Sequence, residues 1–178
     1  MTSAPSTSAD GPISARDLVL TPLQVTDAAD MVPVLSSAEL YTFTGGRPPG
    51  LAELTERYRA QVTGRSPDGR EEWRNWILRR AADGQPVGYA QATISAQGKH
   101  AEIAWVVGLH YQGQGFAAAA ARAVVGWLER RGVRTIEAHI HPRHAASAAV
   151  AARAGLAPTG RLADGEQVWR RDSRPRIS

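Results

Sequence analysis

The 178 residues read as one α/β (α+β) chain: a mixed, mostly antiparallel central sheet of six to seven strands with about four helices. Three observations lead there. Two short turns, Ala82-Asp83-Gly84-Gln85 and Gln97-Gly98-Lys99, join apolar runs too closely for a parallel crossover, which needs a dozen residues or more. One longer unit, residues 101–141, does hold a crossover: an apolar strand, a glycine loop, an alanine-rich helix and a second strand. Apolar residues make up 43% and charged residues 21%, ordinary for a globular chain long enough to bury its own core.

The elements follow in order. Residues 1–16 are rich in Ser, Thr, Ala and Pro and lack an apolar h-region, so they read as a disordered tail rather than a secretory signal. Residues 17–23 form an edge strand that tolerates Pro22 near its end. Thr26 offers an N-cap to a short helix reaching about Ser37, with Asp27 and Asp30 in its first turn and Pro33 limiting its regularity. Residues 39–49, with a double glycine and a double proline, are punctuated too heavily for a regular element. Residues 50–65 follow as an amphipathic helix with Leu51, Leu54, Tyr58 and Val62 on one side.

Residues 73–80 and 86–95 are the strands of the first hairpin, and 101–109 is the central strand. The helix at 116–131 is closed by Gly132 behind Arg130-Arg131, a pattern expected of a C-terminus. Residues 134–141 make another strand, 142–156 a last helical region, and 164–170 a final turn and strand. The domain spans 17–172, and 173–178 is a tail.

Composition excludes several functions. There is no cysteine, hence no disulfide and no thiolate zinc site, which suits a reducing cytoplasm. No apolar run approaches membrane-spanning length. The net charge of +4 and pI near 10.1 come from arginine, because Lys99 is the only lysine. Those arginines are scattered rather than blocked, which disfavours a nucleic-acid partner; a polyanionic small ligand accounts for part of the balance. His139-x-His141-x-x-His144 invites a metal reading, but zinc needs three or four ligands with supporting partners, and only Glu137 lies near in sequence; no metal is expected.

The chemistry concentrates in Gln112-Gly113-Gln114-Gly115-Phe116-Ala117-Ala118. Glycines there let main chain approach a ligand, at a helix N-terminus whose first N–H groups lack intrahelical partners. Such a turn binds phosphate. The spacing Gly113-x-Gly115-x-x-Ala118 also matches a loose dinucleotide fingerprint, with Glu137 at a suitable distance. Too little chain follows for the extra parallel strands that such a domain requires.

The alternative spacing is Gln/Arg-x-x-Gly-x-Gly/Ala, met by Gln112, Gly115 and Ala117. After an Ala-Glu-Ile strand and before an alanine-rich helix, it resembles the pyrophosphate-binding motif of the GNAT superfamily of acyl-CoA-dependent N-acetyltransferases. The resemblance runs in order of elements over nearly the whole chain, and is closest to the branch with ribosomal-protein N-terminal acetylases and small-molecule acetylases. The region from Pro142 departs from the family pattern in three places: His144 stands for Asn, Ala151 for a tyrosine acid, and Leu156 for Phe. Ser147 matches.

The resemblance implies acetyl-CoA as co-substrate, held by the 112–118 loop, by His144 and Ser147, and by the strand edge at Trp105, Val106 and Val107. There the family's fourth and fifth strands splay apart. It implies an oxyanion donor near Val106-Val107 and Glu102 as general base. Deprotonating an ammonium needs such a base, partly desolvated or acting through water. With Ala151 unable to serve, Ser147, His144 or water protonates the thiolate. Tyr41, Phe43, Glu102 and His139 are the acceptor-side candidates. The acceptor is a primary amine, on a small molecule or a peptide N-terminus, and a homodimer stays open. A non-catalytic acyl-CoA-binding module would keep the loop without needing Glu102, and a basic nucleic-acid-binding protein would show steep salt dependence.

Overall fold

A computed structural model describes residues 11–173. Gly84 and Gly98 both adopt left-handed backbone, φ 72° and 66°, and fold β3 (Glu71–Arg80), β4 (Pro86–Ser95) and β5 (His100–Val107) into an antiparallel meander. β6 (Thr135–Ile140) returns through a helix and pairs parallel to β5, as the crossover predicts. Among the described residues the sheet has eight strands in the order β1 (Ile13–Ala15), β2 (Leu18–Pro22), β3, β4, β5, β6, β8 (Glu166–Asp172), β7 (Ala157–Ala163), with β5–β6 its parallel pair.

Eight strands exceed the six to seven expected. β1 (Ile13–Ala15) pairs antiparallel with β2 (Leu18–Pro22) inside the stretch read as tail, so that stretch is not wholly a tail. The remaining tail readings, 1–10 and 174–178, lie outside the described residues. The other addition is β7 (Ala157–Ala163), an exposed edge paired to β8 (Glu166–Asp172) with a bulge between Pro158 and Leu162. Its Pro and Gly carry no strand signal, and β8 alone holds it in the sheet.

Two layers of helix cover the sheet unequally. α3 (Phe116–Arg130) and α4 (Ala145–Arg153) close the larger core, in which Trp127 meets Trp76 edge to face at 5.1 Å. α1 (Asp27–Val34) and α2 (Leu51–Gln61) close the smaller one, around Met31, Leu54, Tyr58 and Ile77. The Thr26 hydroxyl makes no capping bond. Asp27 fixes the start of α1 instead: its Oδ2 accepts the Gln24 N–H at 2.8 Å, and its Oδ1 accepts from Arg79 at 2.6 Å. On α2 only Leu54 and Tyr58 are buried, whereas Leu51 and Val62 stay exposed. The helix ends at Gln61, so the expected apolar stripe is shorter than drawn.

Candidate functional site

The two sides of β5 differ. Towards β4 it pairs over seven residues, Ala101 to Val107. Towards β6 it pairs over three, and the ladder stops at Glu102↔Glu137. Beyond Glu102 the strand edge Ile103–Val107 has no strand partner on that side among the described residues, which is the splay that the resemblance implied. Alternation of the strand decides which main-chain groups face the gap. Lys99 O accepts the Thr135 N–H at 3.0 Å, and the Gly108 N–H donates to Val87 O at 2.8 Å. Odd-numbered residues therefore face β6; the Ile103 N–H closes the last rung on Glu137 O, so the N–H groups of Trp105 and Val107 line the gap, while that of Val106 belongs to β4. Of the expected pair Val106-Val107, the open donor is Val107.

The phosphate loop follows directly. Gly113 and Gly115 have φ of 78° and 82°, and a Cβ built at either would meet nothing within 4 Å. Gly115 is the N-cap of α3 and carries no side-chain cap; the first bond of the helix is Ala119 N–H to Gly115 O, so the N–H groups of Phe116, Ala117 and Ala118 precede it. The Phe116 and Ala118 side chains are buried, leaving main chain as what they offer a ligand. Gln114 is exposed. Gln112, also exposed, turns back onto the strand: its Nε2 donates to Val107 O at 3.0 Å and ties the loop to the end of the splayed strand. The open space over the two glycines, the uncapped N-terminus and the unpaired edge fit a chain of phosphates followed by amides.

His144 caps α4. Its Nδ1 accepts the Ser147 N–H at 3.1 Å, and its Nε2 lies 3.4 Å from Ser147 Oγ, so an imidazole does the capping work of an asparagine. Burial pushes the His144 pKa down, favouring the neutral ring. Ala151 is fully buried. Phe43 stacks on both His144 (4.5 Å) and His141 (5.1 Å), bridging the loop before α2 to the start of α4. Tyr41 is anchored differently: its hydroxyl donates to Leu35 O at 3.0 Å.

Glu102 sits at the point where the strands part. Its side chain is 49% exposed, with His139 Nδ1 3.7 Å from Oε1. Across the ladder lies Glu137, which the sequence offered only as the acidic partner of a dinucleotide loop or of a metal. It is 8% exposed, meets His100 Nε2 at 3.2 Å and has Arg161 and Arg170 each at 3.8 Å. Those cations come from β7 and β8 and offset the carboxylate repulsion of the pair. The three histidines do not converge: His139 faces Glu102, and the Nδ1 atoms of His141 and His144 accept main-chain N–H bonds. Among the described residues no group of three potential ligands could hold a metal. None of the helices there is long and apolar enough to cross a membrane.

Comparison with known proteins adds to this geometry. Residues 17–157 match the family model described as acetyltransferase (GNAT) domain. Among solved structures, the fold is similar to a GNAT-family acetyltransferase from Bacillus anthracis (16% identity, 90% of this chain and 98% of that one, TM-score 0.73). It is also similar to a ribosomal L7/L12 alpha-N-protein acetyltransferase in complex with coenzyme A (16%, 90% and 97%, 0.76). A third is an aminoglycoside acetyltransferase, AAC(6')-Ib, in complex with coenzyme A (20%, 87% and 94%, 0.71). No curated protein matches in sequence.

Proposed function

The chain belongs to the GNAT acetyltransferases, and on that premise we propose that it moves an acetyl group from acetyl-CoA directly to a primary amine of a small molecule or a peptide N-terminus. The observation that carries this reading is the ladder that stops at Glu102↔Glu137 just before an uncapped glycine loop. Acetyl-CoA, when bound, supplies the activated thioester. The N–H groups of residues 116–118 and the loop around Gly113 and Gly115 would hold its phosphates, and the open edge from Ile103 to Val107 its amides.

The protein's own groups then divide the work. The Val107 N–H is the oxyanion donor, a contribution of about 3–4 kcal/mol for one well-placed group. Gln112 fixes that peptide by holding Val107 O. Glu102 is the general base, with His139 beside it. About 3.3 Å of rise per residue puts roughly 16 Å of strand between Glu102 and Val107, so the proton travels through water. Ser147, oriented by His144, is the hydroxyl available to the thiolate side. The named substrates of the ribosomal-protein and aminoglycoside enzymes support an amine acceptor of either size.

Thiol release from acetyl-CoA with a set of primary amines, together with the mass of the product, tests the reading. A product heavier by one acetyl group is the expected result, and Gly115→Glu, which puts a carboxylate at the phosphate loop, abolishes it. Coenzyme binding without transfer to any amine would favour the non-catalytic module.

A further inference from the structure

Below α2 the smaller core is incomplete. A cavity of about 180 Å³ lies between that helix and the faces of β3 and β4, lined by Leu54, Arg57, Tyr58, Asn75, Tyr89 and Gln91 among others. Its floor adjoins the open strand: Tyr89 is paired with Val106 and Gln91 with Ala104. Neighbouring strands are about 4.8 Å apart, so the cavity opens one strand away from the splay.

Three features of its wall select a ligand. The Tyr58 residue is 4% exposed, and its hydroxyl is buried with no hydrogen-bond partner among the described residues. A buried hydroxyl left unpaired is costly, and few native ones lack a reason. Second, the remaining uncharged polar side chains are the amides of Gln61, Asn75 and Gln91, the Tyr89 hydroxyl and the Trp76 indole, all neutral hydrogen-bonding groups. Third, no carboxylate lines it; the one charged residue is the cation Arg57, already paired with Glu53 at 3.1 Å. An ammonium group entering here would lose water and meet no carboxylate in the wall, and the nearby Asp27 is already held by Arg79 at 2.6 Å. Volume adds a limit. A cavity of about 150 Å³ holds benzene, so this one takes a single ring or side chain rather than a linked set of sugars.

We propose that this cavity receives the substituent next to the acceptor amine, and that the substituent is uncharged and ends in a hydrogen-bonding group that meets the Tyr58 hydroxyl. This rests on the acyl-transfer reading above and narrows it: a neutral amine derivative or a peptide whose first side chain is neutral is accepted, and a polycationic amino sugar is refused.

The test is kcat/KM for acetyl transfer to L-leucine amide, L-glutamine amide, L-lysine amide and kanamycin, read by thiol release and product mass. Glutamine amide is expected to exceed lysine amide and kanamycin by at least about tenfold. Tyr58→Phe should lower the ratio of glutamine amide to leucine amide about tenfold, the worth of one hydrogen bond at the upper end of its range. Its melting temperature should not fall, since an unpaired hydroxyl has been removed. Gln91→Leu should shift the same ratio in the same direction. Lysine amide or kanamycin turned over as well as the neutral amides would overturn the assignment, as would an unchanged ratio in both variants. Those failures spare the acetyltransferase reading. Absence of thiol release with every amine would remove that reading and this proposal with it.

Discussion

β5 has two edges with the same sequence and opposite fates. Along one, seven residues are paired to β4; along the other, three are paired to β6 and the rest face a gap. The paired edge depends on a missing side chain, because a Cβ at Gly88 would stand 2.1 Å from Val106 O and 2.9 Å from Val107 Cα. The open edge depends on what arrives from elsewhere: Gln112 of the loop, which holds Val107 O. One edge is therefore scaffold and the other is site. A strand held firmly on one side can leave its other side unpaired without collapsing, which pre-organises donors for a ligand.

The largest effect should come from the junction of the two edges. Glu102→Gln is expected to lower kcat/KM at least about 100-fold, within the usual range for a general base, while coenzyme affinity by calorimetry stays unchanged. Full activity would move the base elsewhere and leave Glu102 as a surface carboxylate. Next comes the paired edge. Gly88→Ala should cost about 2–3 kcal/mol in urea unfolding, because the clash is with main chain that cannot step aside cheaply. A smaller loss would mean that β5 shifts freely and the contrast between its edges is overstated.

On the open edge, Gln112→Leu leaves Val107 O without its partner and should cost about 1–3 kcal/mol. It should weaken coenzyme binding as well, since the loop loses its tether. The smallest effect concerns His144. Its folded-state pKa lies below the ordinary value, so the unfolded chain binds the proton first as pH falls through about 6.5. Stability held above that pH is lost on the acid side, until the folded pKa is reached. His144→Asn keeps a capping side chain and removes the titration. The melting difference between variant and parent should therefore move in favour of the variant between pH 7.5 and pH 5.5.

Much of this was legible in the sequence because it is local. The turns at Gly84 and Gly98, the glycine loop and the alanine helix each announce themselves within a few residues. The added strands β1 and β7 did not, for both are edges held by a neighbour rather than by their own patterning. Glu137 is a matter of distant partners: its burial depends on Arg161 and Arg170, brought by strands that follow in the chain. The Tyr58 cavity was hidden for a related reason. Spacing placed Tyr58 on an apolar stripe with Leu54, and nothing in that spacing shows that its hydroxyl ends unpaired against Asn75 and Gln91 on the sheet. Strand alternation, once the ladder was known, also narrowed the open donor from the pair Val106-Val107 to Val107.

Residue-resolved amide hydrogen exchange across β5, with and without acetyl-CoA, tests the central claim most directly. The amides of Ala104 and Val106, bonded to β4, should exchange slowly in both states. Those of Trp105 and Val107 should exchange fast in the free protein and slow at least about tenfold when acetyl-CoA is added. Equal protection of all four without the coenzyme, or no change at Trp105 and Val107 on adding it, would contradict the account.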